Sequence, residues 1–207
     1  MMPWFARLTA GCAMLGLVFG GVLFAAEAPS PELLRKALDP NPALSTYVAD
    51  ASLSATLHSV LPVRKTLKGT AYYRKPKRKI VFDNVPPEFK QFSTLAATMP
   101  TYDQVQREYK TSPASDDGSS STFTLLPISD DGRVSSLILR VGDSSHLLEQ
   151  ATWHYKGSNT LSVRPTYEKN GDFELLSSVA VVARFTGYSA DGTLQFSNYR
   201  LNAAVTL

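Results

Sequence analysis

Thiol chemistry is almost absent from this chain: among 207 residues there is one cysteine, Cys12. A single thiol forms no intrachain disulfide, so the fold must hold without one. Histidine is scarce as well. His58, His146 and His154 are the only three; none sits in an HxH or HExxH arrangement, which leaves no zinc-type ligand set. There is no phosphate-cradling glycine loop, and the nearest approach to a G-x-S-x-G nucleophile motif, GYSAD at 187–191, reads as a turn. The paired acids Asp116-Asp117 and Asp130-Asp131 each lead into a glycine, the composition of solvated turn tips. No catalytic residue, metal or cofactor is therefore expected. Acid is missing locally too: between residues 51 and 82 stand eight Lys or Arg and no Asp or Glu, although the net charge of the chain is only +3.

With 43% hydrophobic and 19% charged residues, the composition is that of a folded globular chain. The first 28 residues differ from the rest. Arg7 precedes an uncharged apolar run from Leu8 to Ala26, and Ala26-Glu27-Ala28 supplies an A-x-A site followed by Pro29. That is the layout of a secretory signal peptide over 1–28, and its length also allows an uncleaved membrane anchor. Either form sends residues 29–207, as a single domain, to the periplasm or cell envelope.

Ser30 followed by Pro31 marks a helix over SPELLRKAL. Asn41 and Pro42 repeat that signal, and Leu44, Tyr47, Val48 and Ala51 at helical spacing predict a second helix over PALSTYVAD. The period then switches to two, with Leu53, Ala55 and Leu57 on one side, and Ala71, Tyr73, Ile80 and Phe82 as the next inward set. PPEFKQFSTLAATMP breaks the alternation; Phe89, Phe92, Leu95, Ala96 and Met99 fall on one stripe of a short amphipathic helix. TYDQVQREY and six later segments read as strands, punctuated by Asp-Gly at 117–118, 131–132 and 191–192 and by Asn-Gly at 170–171. About nine to eleven strands joined by tight turns predict a mainly β fold, one strongly curved antiparallel sheet forming a half-open barrel covered by N-terminal and inserted helices.

The basic stretch sits on the second and third strands. Pro76 marks their turn, gathering Lys75, Lys77, Arg78 and Lys79 at one rim with Arg74 beside them. Export argues against nucleic acid as the partner. A solvated hairpin with lysines guarding a sheet edge, or a docking surface for anionic headgroups or an acidic partner, both fit.

GTAYYRKP, a Gly-x-aromatic strand ending in a basic residue and proline after an N-terminal helix, resembles the outer-membrane lipoprotein carriers, or LolA-like family. FTLLPISDDGRVSSLILRV and the closing DGTLQFSNYRLN resemble two further segments of that family. The resemblance implies acyl chains held in an apolar cavity between a half-open barrel and its helices, with an arginine before the family proline latching the lid. Lys75 occupies that position here, and EFKQFSTLAATMPTYDQ stands where the family carries a D-G-x-x-x-W segment.

On this reading the chain is a monomeric carrier of lipid or lipoprotein acyl chains, served by an inner-membrane donor and an outer-membrane acceptor or an anionic membrane surface. The lining expected from the strands is Leu53, Leu57, Tyr73, Phe82, Leu137, Leu139, Trp153, Tyr155, Val181 and Phe196. Phe89, Phe92 and Met99 would face it from the lid. The alternative is a membrane-anchored regulator or scaffold that uses the same fold to sense a ligand or partner.

Overall fold

The computed structural model describes residues 30–59, 61–112, 115–129 and 133–205. The expected signal peptide or anchor and the Asp131-Gly132 turn lie outside these. No helix among the described residues is long and apolar enough to cross a membrane.

Helix α1 (Pro31–Leu38) starts where expected: the Ser30 hydroxyl accepts from the Leu33 amide at 3.3 Å, and the proline occupies the first turn. The second expected helix does not form. Leu44 N–H closes a single turn onto the Asn41 carbonyl at 3.0 Å, and strand β1 (Thr46–His58) begins directly after it. Tyr47, Val48 and Ala49 are all buried, on both faces of the sheet. Their apolar character therefore reflects two-sided burial of aromatic and β-branched residues rather than one helical stripe. Asn41 does not cap a helix; its carboxamide pairs with both backbone groups of Glu174, donating at 2.7 Å and accepting at 2.8 Å.

Two long strands follow, β2 (Val63–Arg74) and β3 (Lys77–Phe82), then a 3-10 turn at Pro87–Phe89 running into α2 (Lys90–Ala96). TYDQVQREY, expected as a strand, is instead mostly α3 (Tyr102–Glu108): the Thr101 hydroxyl accepts from Gln104 N–H, and Gln104, Gln106, Arg107 and Glu108 are good helix formers. Only its last residue, Tyr109, belongs to a strand, β4 (Tyr109–Thr111). The rest is β: β5 (Ser115–Asp116), β6 (Ser120–Pro127), β7 (Val134–Gly142), β8 (Leu148–Tyr155), β9 (Asn159–Asn170), β10 (Phe173–Phe185) and β11 (Tyr188–Leu201).

The eleven strands of the described residues join one antiparallel sheet in the order β3-β2-β1-β11-β10-β9-β8-β7-β6-β4, with β5 attached to β6. β3 and β4 end the order without pairing to each other, so the sheet curls but stays open. Extra residues in one strand of a pair bend it further: Asn198 in β11, Ser177 in β10, Ser135 in β7 and Glu149 in β8 mark the register shifts. Each has its side chain engaged. Asn198 donates to Asp50 at 2.7 Å, Ser177 to the Thr166 carbonyl at 3.2 Å and Ser135 to the His154 carbonyl at 3.0 Å; Glu149 accepts from Ser120 at 2.8 Å.

The expected Asp191-Gly192 hairpin is absent, because both residues lie inside β11. The turn is Thr186-Gly187, where Phe185 pairs with Tyr188 and Gly187 takes a φ of +76°. Gly192 serves packing instead. A Cβ there would stand 2.6 Å from Cε1 of Phe92, so the missing side chain seats the α2 ring on the concave face of the sheet. Around that seat Leu53, Leu67, Leu125, Leu137, Leu139, Leu161, Val181 and Leu194 close the core. Each contributes on the order of 2 kcal/mol by burial.

Candidate ligand cavity

Phe89 and Phe92 are fully buried, Phe92 against Gly192 of the sheet, and two open spaces border the same helical segment. The larger space, about 660 Å³, lies among α1, the start of β1, the β2–β3 hairpin, the segment after α2, and the start of β10. The smaller, about 390 Å³, lies between α2 and the far ends of β8, β9 and β10. Gln91 and Leu95 of α2 face the small space, while Ala97, Thr98 and Met99 just beyond the helix face the large one, so this segment walls both.

The large cavity exists because the sheet parts there. β8 pairs with β9 only as far as Val163, and Pro165, which has no N–H to give a ladder, follows two residues later. Beyond it β9 continues along β10 alone, leaving Leu148 of β8 and Tyr167 of β9 on separate walls of the opening. Apolar walls come from Leu38, Leu44, Met99, Leu148, Leu175 and Leu176, and aromatic ones from Tyr47, Tyr73, Tyr102 and Tyr167. Tyr47 stacks on Tyr73 at 5.1 Å and meets Tyr199 edge-on at 5.2 Å. The Tyr199 hydroxyl donates to the Leu176 carbonyl at 2.6 Å. Burial pushes the Tyr167 and Tyr199 phenols well above their ordinary range, against the opposing pull of the nearby Arg78 cation. Both remain neutral hydrogen-bonding groups at any physiological pH.

Five basic residues, Arg35, Lys75, Lys77, Arg78 and Lys79, line this cavity, against three acids, Asp39, Asp103 and Glu174. Two of the cations are paired. Arg35 forms a fork with Glu32 at 2.6 and 2.8 Å. The Lys75 ammonium donates to the Asp39 carboxylate at 2.7 Å and the Pro42 carbonyl at 3.0 Å, tying the hairpin turn to the segment that leaves α1. Arg78 extends over the Tyr73 ring, its guanidinium carbon 6.0 Å from the centroid.

The residues proposed from the sequence distribute unevenly. Tyr73 and Met99 line the large cavity together with Lys75, Lys77, Arg78 and Lys79, and Tyr155 lines the small one, stacked at a tilt on Phe185. Leu53, Phe89, Phe92, Leu137, Leu139, Trp153, Val181 and Phe196 are buried in the packed core, and Leu57 and Phe82 pack against it half-exposed. Arg74 lies opposite Thr46 and Lys77 in the sheet, exposed and away from both spaces. Tyr47, Tyr167, Asn41 and the Lys75–Asp39 pair were missed. Tyr47 was findable by extending the Leu53, Ala55, Leu57 alternation backward; the others depend on contacts between distant segments. At the opposite end of the sheet, His58 and Arg184 both grip Asp191, at 2.7 and 2.6 Å, and lower its pKa, the guanidinium more than the imidazole. No metal-binding cluster occurs among the described residues.

No protein-family model and no curated protein matches the sequence. Solved structures do resemble the fold. A domain described as an outer membrane lipoprotein-sorting protein, from Vibrio parahaemolyticus, aligns with a TM-score of 0.58 at 9% identity, over 84% of this chain and 93% of its own. A DUF1329 family protein from Desulfovibrio piger gives 0.57 at 14% identity, over 84% and 92%. A LolA superfamily protein from Nitrosomonas europaea gives 0.52 at 7% identity, over 84% and 94%. The likeness is one of fold: this chain has the LolA-like half-open barrel.

Proposed function

We propose that the protein is a lipid carrier of the cell envelope, exported by residues 1–28, which takes an acyl chain into the 660 Å³ cavity. The observation that carries the proposal is the cavity itself: an apolar interior under a short helical segment, with cations at its mouth. Its volume suits one ligand of small-molecule size, which points to a single-chain amphiphile rather than a bulky multi-chain cargo. Each methylene withdrawn from water stabilises the complex by about 0.8 kcal/mol. The chain must therefore be released by moving a wall rather than by waiting for spontaneous escape. The wall suited to this is the connection from α2 to α3, with Met99 on the cavity, while the Lys75–Asp39 contact holds the α1 exit against the hairpin as a latch.

Native mass spectrometry of the protein purified from its own host tests the proposal. A bound lipid in the mass range of one amphiphile is expected; protein that is uniformly empty, and stays empty when offered lipid vesicles, overturns it. A second role, an envelope regulator that senses a ligand and transports nothing, is favoured by the buried Phe89 and Phe92, which fill the space a large cargo would need. Retention of residues 1–28 in the mature mass would support that role, since a shuttle must leave the membrane.

A further inference from the structure

We infer that Arg78 is the headgroup anchor of the cavity, and that the ligand is an amphiphile with one anionic head, a carboxylate or a phosphate monoester. This rests on the carrier proposal above and names the class of cargo. The argument begins with strand parity. Ile80 and Phe82 of β3 pack against the core, and Arg78, two residues earlier, shares their strand parity; it stands exposed at the mouth of the cavity, which Lys77 and Lys79 also line, and pairs across the ladder with Tyr73.

No carboxylate lies within 4.0 Å of Arg78 among the described residues, a condition it shares with several other arginines; what sets it apart is its place on the cavity over an aromatic ring. Of the cavity acids, Asp39 is already taken by Lys75. What surrounds Arg78 is phenolic: Tyr73 beneath it, and Tyr47, Tyr167 and Tyr199 close enough for its charge to act on them. Aromatic faces tolerate a guanidinium without satisfying its N–H groups. The planar fork, exposed at the mouth, is thus left to bind an oxyanion in two parallel hydrogen bonds, with the neutral Tyr167 hydroxyl nearby as a further donor. Leu44, Met99, Leu148 and Leu175 lie around the same space and suit an alkyl chain attached to that oxyanion.

The test is calorimetric titration of the protein, below micellar concentrations, with dodecanoate, dodecyl phosphate, neutral monododecanoylglycerol and inorganic phosphate. The anionic chains are expected to bind roughly ten- to hundredfold more tightly than the neutral one, the range a charged hydrogen-bonded contact supplies, and inorganic phosphate not measurably. Arg78→Gln should erase that preference while leaving the neutral chain's affinity unchanged. Arg78→Lys, which keeps the charge without the fork, should retain only part of it. Lys68→Gln, which removes a cation outside the cavity, should retain all of it. A preference that survives Arg78→Gln, or that Lys68→Gln also removes, overturns the assignment. Equal affinity of wild type for anionic and neutral chains overturns it while the carrier proposal stands, and inorganic phosphate binding as tightly as dodecyl phosphate overturns the amphiphile. If no chain binds at all, both fall. Thermal melts confirm that each variant is folded; should Arg78→Gln be unfolded, the Arg78→Lys comparison decides, and an undiminished preference there overturns the inference.

Discussion

Phe92 and Gly192 offer a direct measure of whether α2 is seated in the sheet. Phe92 is fully buried, and truncation of such a ring to alanine costs about 3–5 kcal/mol. Here the upper half of that range is expected, because the strand beneath the ring presents a glycine and has no side chain to swing into the vacated space. Gly192→Ala is the opposite insult. Its new methyl would stand 2.6 Å from Cε1 and 3.0 Å from Cζ of Phe92, and 2.9 Å from the Ser54 carbonyl oxygen. Overpacking of this kind costs about 1–3 kcal/mol, offset in part by the roughly 0.4–1 kcal/mol that Gly→Ala recovers from the unfolded chain. In the double variant the ring clash vanishes and only the Ser54 contact persists, so the methyl occupies space the ring has left. A favourable coupling of about 1–2 kcal/mol follows, within the range for residues in direct contact. Urea unfolding of the four proteins, followed by far-ultraviolet circular dichroism, closes the cycle. Additivity within about 0.5 kcal/mol, or a Phe92→Ala cost below about 1 kcal/mol, would refute the seating and make α2 a loosely held cover.

Three further outcomes follow from the structure. The Asp117 carboxylate accepts from the Ser119 hydroxyl and from the Ser119 and Ser120 amides, which with Arg140 lower its pKa to about 2. Its contribution to stability is complete above the unfolded value of about 3.9 and is lost as pH falls toward the folded one; a carboxyl-carbon NMR titration midpoint above about 3.5 would contradict this. Lys75→Ala removes a partly exposed ion pair, so global stability should change by no more than about 1 kcal/mol. Amide exchange across 39–44 should nevertheless quicken, and unchanged exchange there would rule out a latch. Asn198 holds a φ of +52° at its bulge, so Asn198→Val should destabilise by about 1–2 kcal/mol or more, and Asn198→Gly by clearly less, in thermal melts; equal costs would place the effect in the lost Asp50 hydrogen bond instead.

Local pattern carried much of this architecture. Ser30-Pro31 started a helix because a hydroxyl cap and a proline at the first turn need nothing from elsewhere in the chain. The segment FELLSSVAVVARF corresponds to β10 over its whole length, since alternation against a core repeats at every second residue. Where local signals competed, they misled. Residues 42–51 show helical spacing, yet Tyr47 to Ala49 became a strand buried on both faces; TYDQVQREY alternates weakly, yet its Thr101 cap and polar helix formers prevailed. Asp191-Gly192 has hairpin composition, but a ring from 100 residues upstream uses the bare backbone as its seat. For the cavity, strand parity already placed Ile80 and Phe82 inward, and the same parity sets Arg78 across from Tyr73, while Lys75, Lys77 and Lys79 line the same cavity with it.

By itself, then, the amino-acid order determined an antiparallel β protein that begins with a helix, interposes an amphipathic one, and concentrates positive charge on one hairpin, because periodicity, caps and charge runs are properties of neighbours in the chain. Tertiary structure alone decided which apolar side chains fill the hollow and which merely border it. It also decided that Lys75 meets Asp39 while Arg78 meets no acid among the described residues. Those outcomes depend on how far the sheet curls and where it parts at Pro165, and curvature is set by bulges and long-range contacts that no local window contains.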